Sequence, residues 1–215
     1  KTRGFRDVLE FRRLRVPALY DLTWRKPRPL IPRRLRREVD ERIAASGEVV
    51  RPLDAAEVRR VGDELVGAGV ESVAVCLINS YANAEHERRI GVLLRRDFPD
   101  VAVSLSAEIL PEIQEYERTS TTVVNAYVMP LVRRYVSGMS RGLEARGIRA
   151  PLLIMQSNGG LLTASDAAER PVHIVESGPA AGVMAAANLA AVTGAGKLLS
   201  FDMGGTTAKA CVIDG

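Results

Sequence analysis

The sequence contains few of the residues that build disulfide frameworks and transition-metal sites. Its 215 residues include two cysteines and two histidines, which excludes a disulfide-rich scaffold and a site made of clustered His and Cys ligands. Cys76 and Cys211 lie in apolar, strand-like runs, so we expect both to be reduced, buried thiols in a cytoplasmic protein. His86 and His173 are far apart and give no metal-ligand spacing.

Long charge-free segments are also scarce. Residues 177–196 carry no charge, but they are rich in Ala and Gly, poor in Leu, Ile and Phe, and interrupted by Pro179. This composition predicts a buried helix rather than a membrane span. With 47% hydrophobic residues, the chain has enough apolar side chains for a core in one large domain or two small ones.

Basic residues are unevenly placed within a net charge of +4. Seven of them crowd a short, proline-punctuated region: Arg25, Lys26, Arg28, Arg33, Arg34, Arg36 and Arg37. The prolines indicate an extended surface segment, and no aromatic residues alternate with the arginines to stack on bases. We therefore expect no nucleic-acid binding, and docking on another subunit is the alternative use of this segment.

The hydrophobic pattern predicts alternating helices and strands. Asp54 is a good N-cap for a helix to Gly67, with Glu57 three residues on in a capping-box-like pattern. The continuous apolar run at 72–78 is typical of a buried parallel strand. Further elements are predicted in chain order: a helix at 83–96, a strand at 101–105, a long helix at 117–146, a strand at 151–155 and a helix at 180–192. This order predicts an α/β fold with a parallel or mixed sheet covered by helices.

The most informative pattern lies near the end of the chain, where the apolar run 198–201 predicts a buried strand. An acidic residue, two glycines, two hydroxyls and a lysine follow: Asp202, Gly204, Gly205, Thr206, Thr207 and Lys209. A second strand, 210–213, leads to the hairpin signal Asp214-Gly215. Adjacent glycines let the backbone approach a ligand, and successive N–H groups in such a turn form a concave anion site. We interpret the segment as a phosphate clamp for a nucleotide, with Asp202 able to hold a divalent cation.

Two common nucleotide-binding motifs do not account for this segment. No Gly-Lys-Ser/Thr precedes a helix, so the segment is not a Walker loop, and no Rossmann fingerprint is present. The strand–Asp-x-Gly-Gly-Thr–strand pattern resembles a phosphate loop of the actin-like ATPase superfamily, which includes sugar kinases, Hsp70 chaperones and actin. A tight turn without a ligand is the alternative explanation for two glycines between strands.

Two shorter motifs are candidates for the substrate side of a site. Asn158 follows a strand within Gln-Ser-Asn-Gly-Gly, and open α/β sheets bind ligands at such carboxyl ends, although a plain turn explains it equally well. Glu176 precedes a helix, whose first N–H groups could bind phosphate or a substrate carboxylate. Ordinary capping explains the following Ser and Pro equally well, but explains Glu176 less well. Arg118, with the hydroxyls after it, offers anion donors or a helix cap.

Five blocks in one order carry a family resemblance: Gly4–Glu10, Glu115–Val128, Leu153–Gly160, Glu176–Gly182 and Phe201–Thr206. Together they resemble the hydantoinase A/5-oxoprolinase family, over essentially the whole chain. The resemblance implies an actin-like ATPase (ribonuclease H-like) architecture, with a mixed sheet flanked by helices, that is incomplete in this chain.

The same resemblance gives an expected domain organisation. Residues 1–116 would be the C-terminal part of the family's N-terminal domain. Residues 117–215 would begin its catalytic ATPase domain, truncated after the phosphate-loop hairpin. The family's earlier phosphate loop and its adenosine-binding segment are not in this sequence. We therefore expect an internal fragment of an N-methylhydantoinase A-like subunit.

The resemblance also implies an activity. Such enzymes use ATP, with Mg²⁺, to open cyclic amides such as hydantoins and 5-oxoproline, together with a hydantoinase B-type partner subunit or fused domain. The phosphate oxygens would be held by Gly204, Gly205, Thr206 and Thr207, with Mg²⁺ at Asp202 and Lys209 helping to neutralise charge. Glu176 and Asn158 would face the substrate. The alternatives are a carboxylase subunit of the acetone or acetophenone type, a sugar-kinase-like transferase and a non-enzymatic actin-like or Hsp70-like module.

Overall fold

The computed structural model describes residues 1–11, 20–25 and 27–214. These residues form two compact units, one comprising Lys1–Pro130 and the other beginning at Leu131. We call them the N-terminal unit and the C-terminal unit. The division falls inside a long helix, at a proline that has no N–H group to donate to the helical ladder.

The N-terminal unit contains short strands and amphipathic helices. In chain order its elements are α1 (Val8–Phe11), a 3-10 turn (Arg33–Leu35), β1 (Arg42–Ile43), β2 (Val49–Arg51), α2 (Ala55–Gly67), β3 (Ser72–Val75), α3 (Glu85–Asp97), β4 (Ala102–Leu105), α4 (Ser106–Ile109) and the first half of α5 (Glu115–Glu144). The pair β1–β2 is antiparallel, whereas β3 and β4 are parallel with Ser72 opposite Ala102. The predicted parallel strand is thus confirmed, although it ends at Val75 rather than Ile78.

Local sequence signals explain where these helices begin. Asp54 caps α2 as predicted, because its carboxylate accepts a 2.9 Å hydrogen bond from the N–H of Ala56. Glu57 does not complete a capping box, since its carboxylate instead accepts a 2.7 Å hydrogen bond from the N–H of Asp40. The side chain of Asn83 accepts from the N–H of Glu85 at 2.9 Å, close to the predicted start of α3.

The core of the N-terminal unit lies between the parallel strands and the two helices that cover them. Its buried members are Val39, Leu53, Val58, Val75, Leu77, Ile90, Leu93, Leu94, Val103 and Leu105. All four residues of β4 are buried, as expected for a strand of a covered parallel sheet. Cys76 is buried beside this core, as predicted.

The basic segment is not uniformly extended or exposed, so that prediction is wrong for its second half. Residues Arg33–Leu35 form a 3-10 turn, and Arg36 is buried. The Arg36 guanidinium donates to the carboxylate of Glu10 at 2.7 Å and to the carbonyl of Ile31 at 2.8 Å. Acidic side chains of this unit therefore neutralise arginines that the sequence pattern places at the surface. Lys26 lies outside the described residues.

The C-terminal unit contains small antiparallel pairs and one long helix of its own. After the second half of α5 come β5 (Leu153–Met155), β6 (Leu161–Thr163), α6 (Ala164–Glu169), a 3-10 turn (Pro171–Ile174), α7 (Ser177–Thr193), β7 (Lys197–Met203) and β8 (Ala208–Asp214). β5 pairs with β6 and β7 with β8, both antiparallel. Helix α7 packs on β7, β8 and β5.

Burial in the C-terminal unit differs from the prediction. The helix expected at 180–192 is present, but Met184, Leu189 and Val192 are exposed. Strand β7 is likewise not buried, since Leu199 and Phe201 are exposed. Across the described ranges the strands form four two-stranded sheets, one parallel and three antiparallel, and no helix is long and apolar enough to span a bilayer.

Candidate functional site

The predicted phosphate clamp is a hairpin with an exposed turn. Strands β7 and β8 pair from Lys197 opposite Asp214 to Met203 opposite Ala208. The turn between them is closed by a 2.9 Å hydrogen bond from the N–H of Gly204 to the carbonyl of Thr207. One of the N–H groups expected to face a phosphate is therefore committed to the turn itself.

The rest of the turn is open. Neither Gly204 nor Gly205 has a left-handed backbone, so the glycines are not required by conformation. A Cβ added at Gly205 would meet nothing within 4 Å, which leaves its backbone approachable. Within the described ranges, the hydroxyls of Thr206 and Thr207 make no hydrogen bond. These groups are available as donors to an anion.

Asp202 is an exposed residue next to the last residue of β7, directly opposite Lys209 on β8. Its carboxylate forms no ion pair with any side chain that the structure describes. Protein-bound Mg²⁺ is usually held by one or two carboxylates, with substrate phosphates and water completing its shell. The single carboxylate of Asp202, beside the turn, fits that arrangement.

Lys209 pairs with a residue outside the turn. Its ammonium group forms an ion pair with the carboxylate of Glu176, the residue immediately before α7. Glu176 has φ 66° and ψ 19°, a left-handed conformation that costs free energy for a residue with a side chain. Two residues that the sequence analysis placed on opposite sides of the site, phosphate and substrate, are thus in direct contact.

The Gln-Ser-Asn-Gly-Gly turn contacts the same segment from another direction. The hydroxyl of Ser157 donates to the carbonyl of His173 at 2.9 Å and to the carbonyl of Val175. The backbone N–H of Ser157 also donates to the carbonyl of His173, at 2.8 Å. Sequence reasoning missed Ser157, although it stands next to the predicted Asn158. Three motifs that are separate in the sequence therefore meet around residues 173–176.

Asn158 itself shapes its own turn. Its side-chain oxygen accepts a 2.9 Å hydrogen bond from the N–H of Gly160. Gly159 between them has φ 86°, and an added Cβ would lie 3.0 Å from the sulfur of Met184 on α7. The glycine is therefore required twice, by backbone conformation and by the close approach of the helix.

Arg118 is not part of an anion site. It is fully buried in the N-terminal unit, where its guanidinium donates to the Ser80 hydroxyl at 2.7 Å and the Leu77 carbonyl at 2.9 Å. Thr122, one of the hydroxyls after it, donates back to the Arg118 carbonyl at 2.7 Å within α5. These groups tie the start of α5 to the segment after β3, which is a structural role.

Two family models match almost the entire chain: the N-terminal region of hydantoinase/oxoprolinase over residues 1–98, and hydantoinase/oxoprolinase over residues 118–215. The chain belongs to the hydantoinase/oxoprolinase family. Its relatives include an uncharacterized protein of Methanocaldococcus jannaschii, 44% identical over 99% of this chain and 31% of that protein.

Two solved structures extend this family relationship to the fold. The ATP-dependent caprolactamase from Pseudomonas jessenii is 37% identical, with a TM-score of 0.85, over 98% of this chain and 31% of that one. A nucleotide-free acetone carboxylase is 29% identical, with a TM-score of 0.86, over 99% of this chain and 31% of that one. The α/β, actin-like ATPase fold class is confirmed. The chain spans about a third of the length of these relatives.

Proposed function

We propose that this chain belongs to an ATP-dependent cyclic-amide hydrolase and supplies part of its phosphate-binding site. The observation that carries the proposal is the meeting of three motifs in the C-terminal unit, where Lys209 of the hairpin contacts Glu176 and Ser157 holds the segment before it. A phosphate clamp joined directly to a substrate-side segment suits an enzyme that transfers a phosphoryl group. The family relationship and the likeness to caprolactamase support the same reaction class.

The chemistry explains why such an enzyme would use ATP. Resonance makes an amide carbonyl a poor electrophile. If the amide oxygen attacks the γ-phosphorus of ATP, the bond between that phosphorus and the β,γ-bridging oxygen breaks and ADP leaves. The amide thereby becomes an imidate phosphate, whose ring carbon is activated toward water. Water then adds to that carbon, the ring C–N bond breaks with protonation of nitrogen, and a second water releases phosphate from the acyl group. The protein's task is alignment and charge stabilisation.

The residues divide between these tasks. In the proposal, Gly205, Thr206 and Thr207 hold phosphate oxygens, while the N–H of Gly204 closes the turn that presents them. Asp202 would position Mg²⁺, which neutralises phosphate charge when bound. Glu176 and Asn158 lie on the substrate side. We retain the division expected above, with residues 1–116 in an N-terminal domain and 117–215 in the ATPase domain, and a hydantoinase B-type subunit or fused domain as partner.

A carboxylase subunit is the second candidate, favoured by the TM-score of 0.86 to acetone carboxylase. The same clamp would then phosphorylate bicarbonate or the enol of a ketone. The proposed clamp suits either acceptor, because its proposed role is to hold phosphate rather than the molecule that receives it.

Nucleotide turnover in the full-length subunit with its partner separates the two. We expect ADP release with Mg²⁺ to be stimulated by a lactam, hydantoin or 5-oxoproline, with one ring opened per ADP. Stimulation only by a ketone with bicarbonate would assign the carboxylase reaction instead.

Asp202→Ala tests the clamp in the same assay. We expect turnover to be abolished while the fold is kept, because no side chain among the described residues pairs with this carboxylate. Asp214→Ala is the matched control, since it removes a carboxylate from the opposite end of the same hairpin. Unchanged turnover in Asp202→Ala would contradict the assignment.

A further inference from the structure

The contact between Lys209 and Glu176 gives the lysine a role that the phosphate-loop pattern did not predict. We propose that Lys209 is a positioning residue, which holds Glu176 in place at the start of α7, and that it is not a phosphate ligand. The proposal rests on the proposed function in one respect, that Glu176 serves the substrate side of the site.

Glu176 has a conformation that needs support. Among the described residues, only Asn79 and Glu176 combine a side chain with a positive φ. Asparagine tolerates the left-handed region because its short side chain bonds locally, whereas glutamate gains no such compensation. Backbone conformations of this kind persist where the surroundings over-determine them, and they are concentrated at functional sites.

The surroundings of Glu176 supply that support from two sides. On the backbone side, the Ser157 hydroxyl binds the carbonyl of Val175, the residue immediately before it. On the side-chain side, Lys209 binds the carboxylate. The carbonyl of Glu176 also accepts a 3.4 Å hydrogen bond from the N–H of Ala180, so the residue is fixed to the first turn of α7 as well.

Because Lys209 pairs with Glu176, the two acidic residues of the site differ in whether a cation neutralises them. Asp202 is directly opposite Lys209 in the register, where opposite charges would ordinarily pair across the strands. The ammonium group binds Glu176 instead, and Asp202 keeps a carboxylate that no described side chain neutralises. Lys209 thus holds one acidic group and leaves the other available to a cation.

The Lys209–Glu176 pair is partly exposed, with 38% and 66% of the two side chains accessible. Ion pairs this accessible contribute little to the free energy of unfolding. Variants at Lys209 should therefore fold, and their effects should report on position rather than on stability.

The test compares Lys209→Met and Lys209→Arg in the full-length subunit with its partner. Lys197→Met is the matched control, because it removes the other lysine of the hairpin and its 3.3 Å ion pair with Asp214. The measurements are Mg²⁺–ADP affinity by calorimetry, amide hydrogen exchange in residues 173–178, and kcat and KM for a cyclic amide.

We expect Lys209→Met to keep its ADP affinity within about threefold of the parent, with faster exchange at 173–178 and kcat/KM lowered by about tenfold or more. Lys209→Arg should restore most of the exchange protection, and Lys197→Met should match the parent in all three measurements. A fall in ADP affinity of about tenfold in Lys209→Met, with exchange at 173–178 unchanged, would make Lys209 a phosphate ligand. Unchanged exchange with unchanged affinity would also overturn the proposal.

Affinity and exchange are measured without a cyclic amide. If no cyclic amide stimulates ADP release, the hydrolase proposal fails, yet these two measurements still decide whether Lys209 holds Glu176. Thr206→Ala completes the design, because loss of a phosphate donor should weaken ADP binding and leave exchange at 173–178 as in the parent.

Discussion

Two carboxylates, one in each unit of this chain, have opposite surroundings. Glu87, in the N-terminal unit, is fully buried and accepts hydrogen bonds from the N–H of Leu77 at 2.7 Å, the hydroxyl of Ser106 at 2.6 Å and the N–H of Ala107 at 2.8 Å. Asp202, in the C-terminal unit, is exposed and has no described partner. A buried carboxylate must be hydrogen-bonded by the protein, whereas an exposed carboxylate is hydrated and stays accessible to a ligand. The difference separates a carboxylate that holds the fold from one available for function.

The units also differ in how far their apolar side chains are buried. The N-terminal unit has a continuous core around its parallel strands. Of the described residues in the C-terminal unit, only Val136, Ala167, Pro171 and Ala190 are buried. One face of its hairpin remains exposed through Leu199, Phe201, Met203 and Val212. Stability is therefore concentrated in the unit that does not contain the candidate site.

Thiol labelling gives the largest expected difference between the units. Burial raises the pKa of the Cys76 thiol, and the side chain is enclosed, so it should react only when the N-terminal unit opens. Cys211, half-buried in the open hairpin, needs no such opening. For an opening free energy of about 5 kcal/mol or more, we expect Cys76 to be alkylated at least about a thousandfold more slowly than Cys211.

The measurement is mass spectrometry of the 215-residue chain during alkylation at neutral pH. Labelling in denaturant serves as the control, because the two thiols should then react at similar rates. Equal rates in the folded chain would show that the N-terminal unit opens as readily as the hairpin, and would remove the contrast.

Truncation of one apolar side chain in each unit gives the next largest effect. Leu105→Ala should lower the free energy of unfolding of the N-terminal unit by about 2–5 kcal/mol, since it leaves a cavity in a closed core. Phe201→Ala should change that of the C-terminal unit by less than about 0.5 kcal/mol, because the ring is 64% exposed. Hydrogen exchange of each unit separately checks both values. A large loss in Phe201→Ala would mean that another molecule or segment covers the hairpin face.

The sequence predicted those elements of the fold whose position depends on one short-range interaction, such as a helix cap. Asp54 beside an amphipathic run predicted the start of α2, and Asn83 predicted the start of α3 within two residues. Burial was less predictable, because apolar composition does not say which faces have neighbours. The runs that became β7 and α7 are apolar enough for a core, yet one face of each is exposed.

The candidate site was predicted as separate motifs rather than as a geometry. The glycines and hydroxyls between two strands predicted a turn at 204–207, which is present and exposed, whereas phosphate binding by that turn stays a prediction. The pairing of Lys209 with Glu176 depends on which way a strand residue faces and on where α7 begins, which are tertiary properties. Ser157 had no composition signal beyond its neighbours.

Adding a single methyl group at one glycine in each unit tests the difference between the two units with the smallest change of structure. A methyl group at Gly62 would clash with the Phe98 ring, so Gly62→Ala should lower the free energy of unfolding of the N-terminal unit by about 1–3 kcal/mol. Gly205→Ala meets nothing within 4 Å and should leave stability unchanged, but its methyl group would obstruct an anion that approaches the turn. Calorimetric unfolding and Mg²⁺–ADP binding of both variants separate the two effects. Loss of stability in Gly205→Ala, with ADP affinity kept, would make the open glycine a folding requirement and would weaken its assignment to the phosphate clamp.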